Sequence, residues 1–175
     1  MNEFKIDLKA LKERARKHME QGAVTESYKG NREAVVNVLN EALATELVCV
    51  LRYKRHYYAA SGIDSDAVKA EFLQHATEEQ QHVDWIATRI VQLNGAPNFN
   101  PEGLASRSHS EYAEGTTLVS MIKEDLFAER IAIESYSEIA RWLGDADPTS
   151  RKLIEEILKA EEEHAEDLKS LLEKQ

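Results

Sequence analysis

Four long stretches of the chain repeat apolar residues every three to four positions, which is the spacing of one face of an α-helix. The pattern predicts helices over about residues 31–60, 65–93, 113–143 and 148–174. Turn-forming segments separate them, at residues 61–66, 94–103 and 144–148. The connections are short, long and short. We therefore expect two antiparallel helical hairpins, joined by a segment of roughly 20 residues that crosses the bundle from end to end.

The residues before the first long helix follow a different pattern. Residues 5–20 place Lys and Arg between apolar residues and predict a short amphipathic helix or arm, with Ile6, Leu8, Leu11, Ala15 and Met19 on its apolar face. Residues 21–30 contain two glycines and predict a linker. We expect an arm and linker over residues 1–30 and a bundle over residues 31–175. The arm is expected to bury its apolar face on its own bundle or on a neighbouring subunit.

Composition supports a single helical domain with a strongly charged surface. The 175 residues are 42% hydrophobic and 31% charged, and only 7 Gly and 3 Pro interrupt the helical pattern. With 32 acidic against 22 basic residues, the net charge of −10 argues against a dedicated nucleic-acid binder. DNA binding through the basic residues of the arm is an alternative, but its acidic residues Glu3, Asp7 and Glu13 favour a solvated helix face.

The single cysteine, Cys49, excludes an intramolecular disulfide framework, a four-cysteine zinc site and a Cys-x-x-Cys redox motif. The longest apolar run of the first long helix, residues 47–51, is too short to span a bilayer. The N-terminus has no continuous apolar segment of the kind that a secretory signal requires. These features predict a cytoplasmic protein that does not interact with membranes.

Each of the four predicted apolar faces carries one acidic residue near its middle: Glu46, Glu79, Glu129 and Glu161. A buried carboxylate costs several kcal/mol unless it is paired or coordinated, and four together would repel each other. Two divalent metal ions would supply the missing positive charge. The two halves of the chain are similarly spaced, with 33 residues from Glu46 to Glu79 and 32 from Glu129 to Glu161. Each hairpin therefore brings two carboxylates to the same depth.

Two of these helices add a histidine three residues after the glutamate, in the chain's only two Glu-x-x-His motifs, Glu79–His82 and Glu161–His164. Residues i and i+3 lie on the same helix face, so each pair can bind one ion. Two lone glutamates and two such motifs on four helices form the pattern of a carboxylate-bridged di-metal site. A set of nitrogen and oxygen ligands suits Fe or Mn, and Zn can compete.

Other residues near these motifs have two interpretations. Tyr53 lies two helical turns after Glu46; it could bond a metal-bound carboxylate or donate an electron to O2, or be an ordinary core aromatic. Cys49 is expected to be a small buried hydrophobic residue, and Trp85 a packing residue. The remaining histidines have no partner at ligand spacing and are assigned to surface or packing positions: His18, His56, His75 and His109.

Residues 39–53, 71–98, 121–136 and 155–168 resemble the four helices of bacterioferritin, and the resemblance extends over about residues 35–172. It implies a ferritin-like bundle that binds two iron ions per subunit, with Fe(II) as substrate, O2 or H2O2 as oxidant and a homo-oligomeric assembly. The family's ferroxidase ligands fall on the glutamates and histidines described above, which are Glu46, Glu79, His82, Glu129, Glu161 and His164. The family's site tyrosine falls on Tyr53.

The chain departs from the bacterioferritin pattern in three places. Gln80 stands where that family has its haem-ligating methionine, so haem is not expected. Only 11 residues follow His164, where bacterioferritin continues into a fifth helix at its four-fold channel. The N-terminal arm is an addition. In outline the chain is similar to the mini-ferritins, and we expect an assembly between a dimer and a dodecamer.

The sequence therefore predicts an all-α, ferritin-like up-down four-helix bundle with a long crossover between its second and third helices. The predicted function is a ferroxidase for iron storage or detoxification. Two alternatives stay open. One is another di-metal enzyme on the same scaffold, either a di-iron oxygenase or a manganese catalase. The other is a DNA- or partner-binding protein in which the metal site is structural.

Overall fold

The computed structural model describes residues 4–62 and 65–174, and within these ranges the regular structure is helical. A short helix α1 (Leu8–Ala15) and a 3₁₀ turn (Met19–Gln21) precede the bundle. The bundle consists of four long helices and one short helix in the crossover: α2 (Arg32–Ala59), α3 (Ser65–Gln92), α4 (Leu104–Arg107), α5 (Leu118–Leu143) and α6 (Pro148–Leu172). The predicted all-α fold class is confirmed.

Side-chain caps define where three of the long helices begin. The Asn31 side chain accepts a hydrogen bond at the start of α2, and the Asp147 side chain does so at the start of α6. Helix α5 was expected from residue 113 but begins at Leu118. The reason is a capping box, in which Thr117 accepts from the Ser120 amide at 3.1 Å and Ser120 accepts from the Thr117 amide at 2.8 Å.

The long helices pack as two hairpins, α2 with α3 and α5 with α6, and the hairpins meet through α2 with α5 and α3 with α6. Their apolar residues form two separate clusters. One includes Leu43, Ile86 and Ile157, and the other includes Phe72, Ile122 and Leu168. The glutamates and histidines singled out by the sequence lie between the clusters along each helix. The core is thus two apolar layers with a polar layer between them.

The crossover follows α2 along its length. Near the start of α2, Asn40 donates to the carbonyl oxygen of Ala96 at 3.2 Å and accepts from the amide of Asn98 at 2.7 Å. Further along, the hydroxyl of Thr45 accepts from the amide of His109 at 2.9 Å. The connection therefore returns the chain to the far end of α2, and α5 runs antiparallel to it.

A close approach at the start of the crossover requires glycine. An added Cβ at Gly95 would lie 2.7 Å from the side chain of Val36 on α2. Any larger residue would push the crossover away from the helix that it follows.

A buried polar network joins α2 to α5 below the crossover. The Arg52 guanidinium donates to Asp125 at 2.8 Å and to the hydroxyl of Ser110 at 3.0 Å, and Asp125 also contacts the imidazole of His56 at 2.8 Å. All four residues are buried. His56, assigned to a surface or packing position from sequence, is part of this network.

Helix α2 is long and apolar enough to cross a membrane by length and composition alone. Its buried apolar residues, among them Leu39 and Leu43, instead form part of the core of the bundle, and the helix packs against α3 and α5. The same helix buries the charged residues Glu46 and Arg52, each paired within the protein. It is therefore a core helix and not a membrane span.

The N-terminal segment docks through its linker and not through α1. Tyr28 packs against the core cluster and donates to Asp147 at 2.9 Å, next to the contact of Arg89 with Asp147. The apolar face of the arm stays exposed, with Ile6, Leu8, Leu11 and Met19 between 41% and 73% accessible. The arm does not bury this face on its own bundle, which was one of the two expected arrangements, and its burial on a neighbouring subunit stays a prediction.

Candidate metal centre

The polar layer of the bundle is almost completely removed from solvent. Six residues from the four long helices meet there, and each is between 0% and 3% exposed: Glu46, Glu79, His82, Glu129, Glu161 and His164. These are the six ligands expected from the sequence. Each lies at an inward position of its helix, because the spacing between ligand and neighbouring core residues is three or four positions.

The six residues form two groups of four, and in each group the candidate ligand atoms lie within 4.8 Å of one another. One group adds Glu46 and His82 to a shared pair, and the other adds Glu129 and His164. The shared pair is Glu79 and Glu161. The buried cluster is therefore compatible with two metal ions, and Glu79 and Glu161 would contribute to the binding of both.

Both histidines direct Nδ1 towards the shared carboxylates. Nδ1 of His82 lies 3.0 Å from Glu46, 3.2 Å from Glu79 and 3.2 Å from Glu161. Nδ1 of His164 lies 3.5 Å from Glu79 and 3.3 Å from Glu161. The opposite nitrogen of His164 contacts the partly exposed Glu78 at 2.8 Å, an outer contact that orients the ring.

Two tyrosines bond the outer glutamates across the bundle. The Tyr53 hydroxyl on α2 donates to Glu129 on α5, and the Tyr136 hydroxyl on α5 donates to Glu46 on α2. Of the two interpretations of Tyr53, the structure shows the hydrogen bond to a carboxylate of the cluster. The sequence analysis assigned no role to Tyr136. The similar spacing of the two halves of the chain identifies Tyr136 as the equivalent of Tyr53, since Tyr136 follows Glu129 by seven residues, as Tyr53 follows Glu46.

Burial and mutual repulsion divide the four carboxyl groups into two kinds. Burial, with the nearby Glu79 carboxylate, raises the pKa of Glu46 to about 8. Burial, with Glu79 and Glu161, raises the pKa of Glu129 well above its ordinary value. For the shared pair, burial and like charge oppose ionisation, but close contacts with the histidines and with the outer glutamates lower the pKa of Glu79 and Glu161. The directions of these shifts favour protons on the outer carboxyl groups, Glu46 and Glu129, in the metal-free protein.

The histidines respond in the opposite sense to their burial. Burial alone would lower the pKa of both imidazoles, but the close carboxylates of Glu161 and Glu79, which stabilise the protonated ring, raise the pKa of His164 to about 12. Contacts with Glu161, Glu46 and Glu79 raise the pKa of His82 as well. Two imidazolium ions therefore neutralise the two shared carboxylates, and protons take the place of metal ions in the metal-free cluster.

Several buried polar atoms of the cluster make no hydrogen bond to any described residue. They are Oε1 of Glu79, Oε2 of Glu129, both carboxylate oxygens of Glu161 and Nδ1 of His164. Such orphaned atoms are rare in protein interiors and require an explanation. Divalent ions coordinated by these atoms would satisfy them, and the nitrogen and oxygen donors suit iron, manganese or zinc.

Residues beside the cluster complete its surroundings. The buried thiol of Cys49 lies 3.3 Å from a guanidinium nitrogen of Arg52 and is not in either ligand group. The ring of Trp85, 42% exposed, packs 5.6 Å from the His82 ring between centroids. Gln80 is exposed and its amide contacts Asp84 at 3.4 Å. That haem is not bound stays a prediction.

Sequence reasoning missed His75, which was assigned to a surface or packing position. Its side chain is wholly buried and stacks on His164 with 4.1 Å between ring centroids. Nδ1 of His75 lies 3.2 Å from the Tyr53 hydroxyl. His75 precedes Glu79 by four residues, which places it on the ligand face of α3.

Comparison with known proteins gives one family and several relatives. The family described as "Ferritin-like domain" matches residues 36–175. A bacterioferritin of Desulfovibrio desulfuricans is 29% identical over 77% of this chain and 74% of its own length. A "DNA protection during starvation protein" of Pyrococcus furiosus is 30% identical over 75% of this chain and 73% of its own. A dodecameric thioferritin, the bacterioferritin-related protein of Bacteroides fragilis, superposes with a TM-score of 0.80 at 31% identity, covering 83% of this chain and 88% of the other.

Proposed function

We propose that this chain, which belongs to the ferritin-like family, is a ferroxidase that converts Fe(II) to Fe(III) in iron storage or detoxification. The observation that supports this most is the pair of four-residue groups that share Glu79 and Glu161 inside a sealed core. Two ions held by common carboxylates can give up one electron each to a single oxidant. In this reaction iron is the substrate.

The charge balance of the cluster suits two ions that become more positive. Four ionised carboxylates offset two divalent ions, and the protonated forms of Glu46, Glu129 and both histidines give up their protons when metal binds. The hydroxyls of Tyr53 and Tyr136 hold Glu129 and Glu46 in place, each through one hydrogen bond. Ionised oxygens stabilise the higher charge of Fe(III) more than that of Fe(II), which favours electron loss.

Oxidation of two Fe(II) ions releases two electrons, which one molecule of H2O2 or O2 can accept. With H2O2, two Fe(II) ions and two protons give two Fe(III) ions and two water molecules. With O2, the same two electrons and two protons give H2O2.

Other di-metal chemistry has less support. An oxygenase would need a pocket for an organic substrate beside the metals. None of the six cluster residues lines the apolar surface pockets beside Trp85 and beside Phe127, so neither pocket lies against the metal ligands. A manganese catalase would use the same ligands, so the metal content and the reaction with peroxide are what separate it from a ferroxidase.

We also propose that the chain works as a homo-oligomer, with the exposed arm at a contact between subunits. The thioferritin relative is dodecameric. A cytoplasmic location, expected from sequence, suits a protein whose substrate is the reduced ion. A role in DNA binding has less support, because basic residues of the arm alternate with acids and Lys17 already pairs with Glu26 at 2.8 Å.

The test compares two neighbouring glutamates on α6. Glu161→Gln removes a shared carboxylate, whereas Glu162→Gln removes the same charge from an exposed position one residue away. We expect stopped-flow oxidation of Fe(II) by O2 and by H2O2 to slow about 10–100-fold in the first variant and to stay at the wild-type rate in the second. Equal rates in both variants would mean that the cluster is not the site of oxidation.

A further inference from the structure

We propose that Glu71, His75 and Asp167 form a third divalent-cation site, between α3 and α6, that supplies ions to the buried di-metal centre. The supplying role rests on the ferroxidase function proposed above, whereas the binding site stands on its own geometry. These residues contribute to neither four-residue group of the centre.

The three side chains bring their ligand atoms together at the surface of the bundle. Nε2 of His75 lies 3.2 Å from Glu71 and 3.8 Å from Asp167, and the three atoms lie within 4.8 Å of one another. The His75 side chain is wholly buried, while the side chains of Glu71 and Asp167 are 26% and 53% exposed. The cluster therefore has a buried nitrogen at its base and two carboxylates at its opening.

The hydrogen bonds on the other side of His75 determine which nitrogen is available. Tyr53 donates its hydroxyl proton to Glu129, so its oxygen can only accept from Nδ1 of His75, 3.2 Å away. The neutral ring then carries its proton on Nδ1 and has a lone pair on Nε2. That lone pair faces two carboxylates, and Nε2 makes no hydrogen bond to any described residue. One nitrogen and two carboxylate oxygens suit Fe(II), Mn(II), Co(II) or Zn(II).

The proposed third site adjoins the buried di-metal centre. The His75 ring stacks on His164, and His75, Glu78 and His164 also have ligand atoms within 4.8 Å of one another. Because the centre's ligands are at most 3% exposed, an incoming ion has to pass through the protein surface. Adjoining ligand groups allow it to exchange one ligand at a time between Asp167 at the surface and His164 at the centre.

The test uses the assembled protein with Co(II) as the binding probe. The double variant Glu71→Gln/Asp167→Asn removes both carboxylates of the proposed site. Glu163→Gln/Glu166→Gln removes two charges from exposed positions of α6, where these glutamates pair with Lys159 and Lys169 and belong to neither ligand group of His75. In equilibrium dialysis we expect the first variant to bind one Co(II) fewer per subunit than wild type, and the control to match wild type.

The supplying role is measured with iron. When Fe(II) and O2 are mixed together with limiting Fe(II), we expect the first variant to oxidise it about tenfold more slowly or worse. When Fe(II) is first equilibrated with the protein without oxygen, the rate after O2 addition should match wild type, because the centre is already filled. The control should match wild type in both experiments.

The outcomes separate this proposal from the function proposed above. Equal Co(II) binding in both double variants would overturn the third site, and so would loss of every ion from the first variant. Loss of one Co(II) with an unchanged mixing rate would overturn the supplying role. If wild type binds the additional Co(II) but does not oxidise Fe(II), the ferroxidase proposal fails and the site is supported.

Discussion

Glu46 and His164 show how single residues of the centre depend on their surroundings. An exposed glutamate is ionised and an exposed histidine is largely neutral at neutral pH. In the folded bundle the preferred protonation states are reversed. Burial raises the pKa of Glu46 to about 8, and contacts with carboxylates raise the pKa of His164 to about 12. Metal ions require the ionised glutamate and the neutral imidazole, so binding competes with protons.

We predict that the metal-free protein loses thermal stability as the pH rises from 6.5 to 8. Across this window the folded protein keeps protons on Glu46 and His164 that the unfolded chain, with pKa values of 4.5 and 6.5, has already lost. Folding then binds protons, so the free energy of unfolding falls with pH. Thermal unfolding in the presence of a chelator measures the effect.

Redox-inert Zn(II) should reverse this trend. Its binding displaces about four protons, from two carboxyl groups and two imidazolium ions, so the increase in Tm that it causes should grow from pH 6.5 to 8. Glu46→Gln provides the control, since it removes one titrating group and should flatten the metal-free profile. A metal-free Tm that rises across this window would contradict the assignment of protons.

Neither helical hairpin contains a complete metal site. The first four-residue group takes Glu46 and His82 from the first hairpin but Glu161 from the second, and the other group likewise needs Glu79 from the first. Correct docking of the hairpins is therefore what assembles the centre. Besides the tyrosine bonds, Arg52 on α2 and Asp125 on α5 link the hairpins through a buried ion pair.

We predict that Asp125→Ala destabilises the bundle by about 3–5 kcal/mol, because it leaves the buried guanidinium of Arg52 without its carboxylate. Both side chains of this pair are 0% exposed, and Asp125 also contacts His56. Urea denaturation of the metal-free protein gives the change in unfolding free energy directly.

Glu114→Ala is the matched control for this ion pair. Glu114 lies 3.6 Å from Arg55, one helical turn along α2 from Arg52, and both side chains are at least 40% exposed. A solvent-exposed pair of this kind contributes about 0–1 kcal/mol. If the two substitutions had similar effects, the Arg52–Asp125 pair would not be important for joining the hairpins.

The folded chain leaves large apolar side chains exposed among its described residues. Phe127, Trp142 and Val91 are between 52% and 59% exposed on the bundle, and Leu8 and Leu11 are 61% and 41% exposed on α1. Apolar surface that remains exposed on a folded subunit often marks a contact with another protein. The arm is attached through its docked linker, so its helix is free to contact a neighbouring subunit.

We predict that Leu8→Asp/Leu11→Asp reduces the size or the stability of the homo-oligomer, because it places charges on the apolar face of α1. Multi-angle light scattering over a dilution series measures both. Lys9→Ser/Lys12→Ser changes two polar positions of the same helix and should leave the assembly unchanged. An assembly indifferent to the leucine substitutions would exclude this face of the arm from the subunit contacts.

The sequence by itself determined the helices, their pairing into hairpins and the inward position of the six acidic and histidine residues. These depend on local spacing: a 3.6-residue period identifies the buried face, and the Gly- and Pro-containing segments show where helices end. The same local information located the start of α5 poorly, because the capping box of Thr117 and Ser120 has no acidic residue at its third position.

Only the tertiary structure decided which residues of different helices meet. It identified Glu79 and Glu161 as the shared carboxylates, paired Tyr136 with Glu46, and brought His75 against Asp167 on another helix. The physical reason is that the relative rotation and height of packed helices depend on all core side chains together, not on spacing within one helix. The same packing removes water from the polar layer, which determines where its protons reside.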